Sequence, residues 1–178
     1  MAFTLRPVAP PDAAAIIPPT LIDQHLKPAS DADAELIDVV RLAAIDHIER
    51  YTGRSLQRRA WAADFDGFGC SLRLPRSPIG AVTAVRYIGT EGTVLSATGW
   101  RIADDLLVSG VAGWPVALAG PGVVTVEFTA GYLDVASEAP ALRMAVVLMM
   151  RHLYDGGNGE ATAAIAAMCR PYRVPVMA

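Results

Sequence analysis

An α+β fold, a small helical bundle with a β-rich insert of short antiparallel strands between its first and second main helices, is what this sequence predicts. Three observations carry that expectation. Residues 31–52 place apolar side chains at helical spacing. Residues 57–130 change to short alternating runs separated by turn residues. Residues 137–154 return to a helical pattern, now apolar on nearly every side. At 178 residues the chain is long enough to bury a real core as one domain.

Residues 1–19 hold five prolines and no clear period, which predicts a flexible N-terminal arm. "TLIDQHL" adds a short helical turn. The first main helix starts at a capping pattern, Ser30 with Asp33, and has Asp31, Asp33 and Glu35 at the positive end of its dipole. Ile37, Val40, Ala44, Ile48 and Tyr51 make one apolar stripe, and Gly53 supplies the stop. Asp46 and Arg50 form an i,i+4 surface pair worth about 0.3–0.5 kcal/mol. Glu49 is expected on the outer face and His47 beside the stripe.

In the insert, "WAADF" and "SLRLP" read as two strands around the turn "DGFG". "AVTAVRYI" is the clearest strand, "VLSA" returns after "GTEGT", and "WRIA" and "LLVSG" extend the meander. "VVTVEFTAGY" closes it, with Val124, Val126 and Phe128 on one face and Thr125, Glu127 and Thr129 on the other. The prolines of "LPRSPIG" point to a connection or an edge. The second main helix starts near Ser137, tolerates Pro140 in its first turn and stops at Gly156-Gly157. Leu142, Val146, Met149 and Leu153 form one stripe; Val147, Met150 and Tyr154 form another, expected to meet a neighbouring subunit. "ATAAIAAM" is a short helix after a glycine-rich link, and residues 169–178 read as an extended tail.

Composition excludes several function classes. The net charge is −3, so nothing global favours phosphate binding. Lys27 is the only lysine, and the other fourteen basic residues are arginines, which suit interface ion pairs but also follow from GC-rich coding. Cys70 and Cys169 are far apart and fit neither a disulfide framework nor a metal knuckle. The N-terminus lacks the basic and apolar regions of a signal peptide, and the longest strongly apolar run, Met144 to Met150, is far shorter than the roughly 20 residues of a membrane span. A soluble, non-exported chain is the expectation.

No nucleophile elbow, P-loop or dinucleotide-binding glycine pattern is present. His25, His47 and His152 are scattered, and His47 has no second ligand one turn away. A hydrolase site around His47 and Glu49 would need a third group and a pocket. Asp104-Asp105 is a carboxylate pair of the kind usually solvated in a loop. The expectation is no catalytic site, no metal and no cofactor.

Four stretches in order carry a resemblance. "DADAELIDVVRLAAIDHIERYTGRSL" ends in a Y-T-G-R-x-L pattern. "LRLPRSPIGAVTAVRYIGTEG" holds an L-P-x-x-P-[IL]-x-x-V-x-x-V-x-Y run. "VTVEFTAGYLDVASEAPALRMAVVLMMRHLYDGG" combines a strand, a G-Y link, a Pro-initiated helix and a terminal aromatic. "CRPYRV" closes with P-Y-R. Together, over roughly Ile22 to Val174, they resemble the head–tail connector (adaptor) proteins of long-tailed phages and phage-like gene transfer agents. The proline-rich arm and the Ala- and Gly-rich segment 155–168 depart from the pattern.

The resemblance implies a structural role. Such proteins form a ring, dodecameric in assembled particles, below the portal. The implied partners are further copies of the chain, the portal protein and a stopper or next connector, with DNA passing through the channel without sequence-specific binding. It implies a place in the particle neck after assembly in the bacterial cytoplasm. On this reading residues 20–168 are the connector domain and 169–178 a docking tail, with Arg170, Pro171, Tyr172 and Arg173 meeting the portal and Val147, Met150 and Tyr154 meeting the neighbouring subunit. A mildly acidic wall would let a duplex slide. A homo-oligomeric binding module unrelated to virions remains the alternative.

Overall fold

The computed structural model describes residues 3–26, 34–156 and 159–174. The chain forms an α+β fold in two compact units. One is β-rich and comprises Arg58–Gly131 together with the N-terminal residues as far as Pro10; the other is helical and comprises Pro11–Gln57 and the chain from Tyr132 onward.

The β unit has two antiparallel sheets. Strands β1 (Phe3–Pro7), β2 (Arg59–Phe65), β4 (Ile79–Ile88), β5 (Val94–Ser96) and β8 (Val124–Ala130) make a five-stranded sheet in the order β1-β2-β8-β4-β5. Strands β3 (Ser71–Arg73), β6 (Arg101–Ala103) and β7 (Leu106–Val108) make the second, in the order β3-β7-β6. The alternation in β8 works as expected: Val124, Val126 and Phe128 are buried, and Thr125, Glu127 and Thr129 are half-buried on the other face. They join Trp61, Phe65, Leu72, Leu74, Val85 and Leu107 in one core. "WAADF" and "SLRLP" are not a hairpin: β2 pairs with β1 and β8, whereas β3 pairs with β7. Turn residues show that the chain reverses, not which strand it pairs with next.

The helical unit is built on α3 (Ala34–Thr52) and α5 (Pro140–Tyr154), with α1 (Ala13–Ile16), α2 (Pro19–His25), α4 (Val135–Glu138) and α6 (Gly159–Cys169) around them. Ile37, Val40, Ala44 and Ile48 of the expected stripe are buried, and Tyr51 packs half-buried against the same core. Gly53 has φ +72°, the left-handed conformation that ends a helix at a glycine. The Ser30–Asp33 cap lies outside the described residues. The long second helix begins at Pro140, because Ala139 leaves helical geometry after the single turn of α4, which Asp134 caps.

Residues 3–19 differ from the expected arm. β1 pairs with β2, and Asp12 caps α1 by accepting from the N–H groups of Ala14 and Ala15. Ile16 and Ile17 are fully buried in the helical core. The prolines stand where a missing N–H costs least: Pro7 ends an edge strand, and Pro18 and Pro19 open α2.

Candidate functional site

The side chains that suggested chemistry do not assemble. His47 is exposed beside the Asp46–Arg50 pair, whose N···O distance is 2.8 Å. Glu49 is not on the outer face; it is buried, and its Oε1 accepts from the backbone N–H of Leu56 at 2.8 Å and from Ser55 Oγ at 3.2 Å. The carboxylate of the hydrolase reading is thus engaged in holding the chain after α3, where unpaired backbone groups need an acceptor. Asp104, with φ +54°, turns the chain between β6 and β7, and the Asp105 carbonyl accepts from the Leu74 N–H. His25 lines an open cleft of about 330 Å³ with Gln24, Leu26, Arg151 and Asp155, and His152 lies on α5 half-buried. Among the described residues no three metal-ligating side chains cluster.

What does assemble is a locus built from three of the four motif stretches. The backbone carbonyl of Tyr172 accepts from Arg54 Nε, and another guanidinium nitrogen of Arg54 donates to the Tyr132 hydroxyl at 3.3 Å. The Val174 N–H donates to the Thr52 carbonyl at 2.8 Å, which satisfies one of the acceptors left open at the end of α3. The Arg173 guanidinium lies 5.4 Å from the centre of the Tyr51 ring. A side chain at Gly53 would press on Val174, its Cβ 3.3 Å from Val174 Cβ. Burial raises the Tyr132 hydroxyl above the ordinary tyrosine range, with the Arg54 charge working against it, so it stays a neutral phenol at physiological pH.

This arrangement changes the reading of the tail. Arg170–Tyr172 form a single 3-10 turn, Cys169 is buried in the helical core, and Tyr172 packs half-buried against that core. The segment 169–174 is therefore fastened to its own domain, and it leaves Arg170, Pro171 and Arg173 exposed. Residues 175–178 lie outside the described residues. The sequence carried little signal for this contact, since the acceptor at Tyr172 is a backbone carbonyl, which any residue supplies. Nothing local pairs Arg54 with Tyr172 across 118 positions.

The expected subunit-contact residues need a similar correction. Val147 and Met150 are closed within the chain's own helical core, and Tyr154 packs half-buried against it. The large apolar side chains that α5 leaves exposed are Met144, Leu148 and Leu153. α5 is covered by α3, α6, α4 and α2 together, so the second stripe is used within the subunit.

No family model and no curated protein matches this chain. Solved structures do. A chain from the neck of an empty gene transfer agent particle, computed with C6 symmetry, superposes with a TM-score of 0.80 at 25% identity, over 98% of this chain and 97% of that one. A chain from the virion of a native gene transfer agent particle gives 0.77 at 25% identity over the same shares. A chain from the neck of a native particle computed with C12 symmetry gives 0.75 at 24% identity, again over 98% and 97%. These neighbours agree with the head–tail connector resemblance carried by the four motifs.

Proposed function

We propose that this chain is a structural head–tail connector subunit in the neck of a tailed phage or gene transfer agent particle. It forms a ring below the portal, joins the capsid to the next tail component and contributes to the channel through which DNA passes. The observation that carries this reading is end-to-end likeness: 98% of the chain superposes on 97% of a neck chain, so the whole subunit, not one shared module, is matched. The C6 and C12 symmetries of the neighbouring necks support a ring of identical copies here. The role is one of assembly without catalysis, carried out in the bacterial cytoplasm, and it requires no cofactor. The net charge of −3 suits a channel wall that does not grip the duplex.

In this reading Arg170, Pro171, Tyr172 and Arg173 form the portal-facing segment. Arg170 and Arg173 offer planar donors for carboxylates, and the segment is already held by Arg54 and Thr52, which lowers its ordering cost on docking. The test is complementation of a gene deletion in the producing strain. Wild type should restore tailed particles containing the chain. Arg170→Glu/Arg173→Glu should give a folded protein and DNA-filled heads without tails, counted by electron microscopy. Wild-type particles lacking the chain would refute the connector role, and normal tailed yields from the double variant would move the docking surface elsewhere.

A further inference from the structure

The five-stranded sheet is open at two different edges, and those edges match. Its register runs straight across one row: Phe3 on β1, Phe65 on β2, Val124 on β8, Tyr87 on β4 and Leu95 on β5. The next row is Thr4, Asp64, Thr125, Arg86 and Ser96. The two edges therefore stand level. Each pairing across the sheet is antiparallel, and four of them separate β1 from β5, so the two edge strands run in the same direction.

The outward hydrogen-bonding groups are also in phase. The Val8 N–H donates inward to Ala60, so by alternation Phe3, Leu5 and Pro7 turn their backbone groups away from β2. Pro7, which has no N–H to offer, falls at an outward position. The Ala97 N–H donates inward to Val85, so Val94 and Ser96 turn outward from β5. In a parallel ladder one residue bonds the two that flank its row partner. Phe3 set opposite Leu95 meets that condition, with its N–H reaching the Val94 carbonyl and its carbonyl reaching the Ser96 N–H.

The side chains agree with the backbone. Phe3 and Leu95 share a row, and so a face, with buried Phe65 and Val124, yet are 48% and 44% exposed. An uncovered apolar edge is a liability unless something pairs with it.

We propose that β5 of one copy pairs in parallel with β1 of the next, with Phe3 beside Leu95, so that the sheet continues from subunit to subunit. The occupant is a second copy because the two edges of one chain run in the same direction, level and with their outward groups in phase. Rotation about a ring axis preserves strand direction, and a head-to-tail contact is what closes a ring. The inference rests on the connector reading for the ring in which the contact occurs.

The test is cross-linking of the full chain. Phe3→Cys/Leu95→Cys is made with exposed Cys70 replaced by Ser, and Cys169 is left buried. Neighbouring strands lie within disulfide reach. Mild oxidation of particles should give a ladder of multimers from the double variant and none from either single variant. Ser96→Pro removes an outward donor and no inward one; it should keep the wild-type melting temperature and enter particles at least about tenfold less. Double-variant chain present in particles without a ladder, dimers from one single variant, or full incorporation of Ser96→Pro would overturn the edge pairing while leaving the connector role standing. If wild type is absent from particles, the connector role fails, and concentrated purified chain decides the pairing: a ladder from the double variant supports it and none overturns it.

Discussion

The two units reach the same end, a closed core, by different use of polar groups. In the β unit the strands satisfy each other's backbone, and two ion pairs, Arg6 with Asp64 and Arg86 with Glu127, sit on the sheet face opposite the core. In the helical unit the segments between helices have no ladder, and side chains supply the missing partners. Glu49 holds Ser55 and Leu56, Arg54 holds Tyr172, Arg143 donates to the Ile16 carbonyl and Arg41 to that of Ile17. A sheet is insured against loss of a polar side chain, because its backbone bonds do not depend on one. A bundle with irregular connections is not.

The contrast is breakable. All three tryptophans, Trp61, Trp100 and Trp114, lie in the β unit, so their fluorescence reports on it, while ellipticity at 222 nm weights the helices. The largest effect is expected from Met150→Asp, which places a charge at a fully buried position of the helical core and should cost about 4–5 kcal/mol. Leu148→Asp, two positions away on an outward face, should cost about 1 kcal/mol or less. Equal losses from the two would break the assignment of α5 faces. Next comes Phe128→Ala, which empties the centre of the β core and should cost about 3–5 kcal/mol, read first in the tryptophan signal.

Glu49→Ala tests the role of side chains in the helical unit. It leaves the Leu56 N–H and the Ser55 hydroxyl without that carboxylate and should cost about 2 kcal/mol; Glu49→Gln, which keeps an acceptor oxygen, should cost about half as much. Arg86→Ala, which removes only an exposed pair on the sheet, should cost about 1 kcal/mol or less in the same denaturant titration. A larger loss from Arg86→Ala than from Glu49→Ala would reverse the comparison.

The smallest effect concerns pH. Asp134 is held below the usual carboxylate range, first by the Ser137 hydroxyl and then by the Ala136 N–H. A carboxyl whose folded value is depressed adds stability above its unfolded value, and that stability is lost as pH falls through the folded value. Wild type should therefore lose part of its advantage over Asp134→Ala in acid, below about pH 4. An unchanged difference between pH 7 and pH 3 would remove this cap from the account.

The sequence by itself determined the α+β class, α3 from its stripe and glycine stop, β4 as a strand, and the alternation of β8. Periodicity is a local property, and burial of one face is its direct cause. The four ordered motifs also carried the connector resemblance. Only the tertiary structure decided partners. It took Phe3–Pro7 from a proline-rich arm and made it a strand, because β2 had an open edge. It closed Val147 and Met150 inside the subunit, because α5 is covered from several sides at once. It turned Glu49 inward to meet Leu56 and brought Arg54, Tyr132 and Tyr172 together from distant positions. An apolar face or a charged side chain states what kind of contact it needs, but long-range packing alone selects which segment provides it, and that choice is made by the whole chain at once.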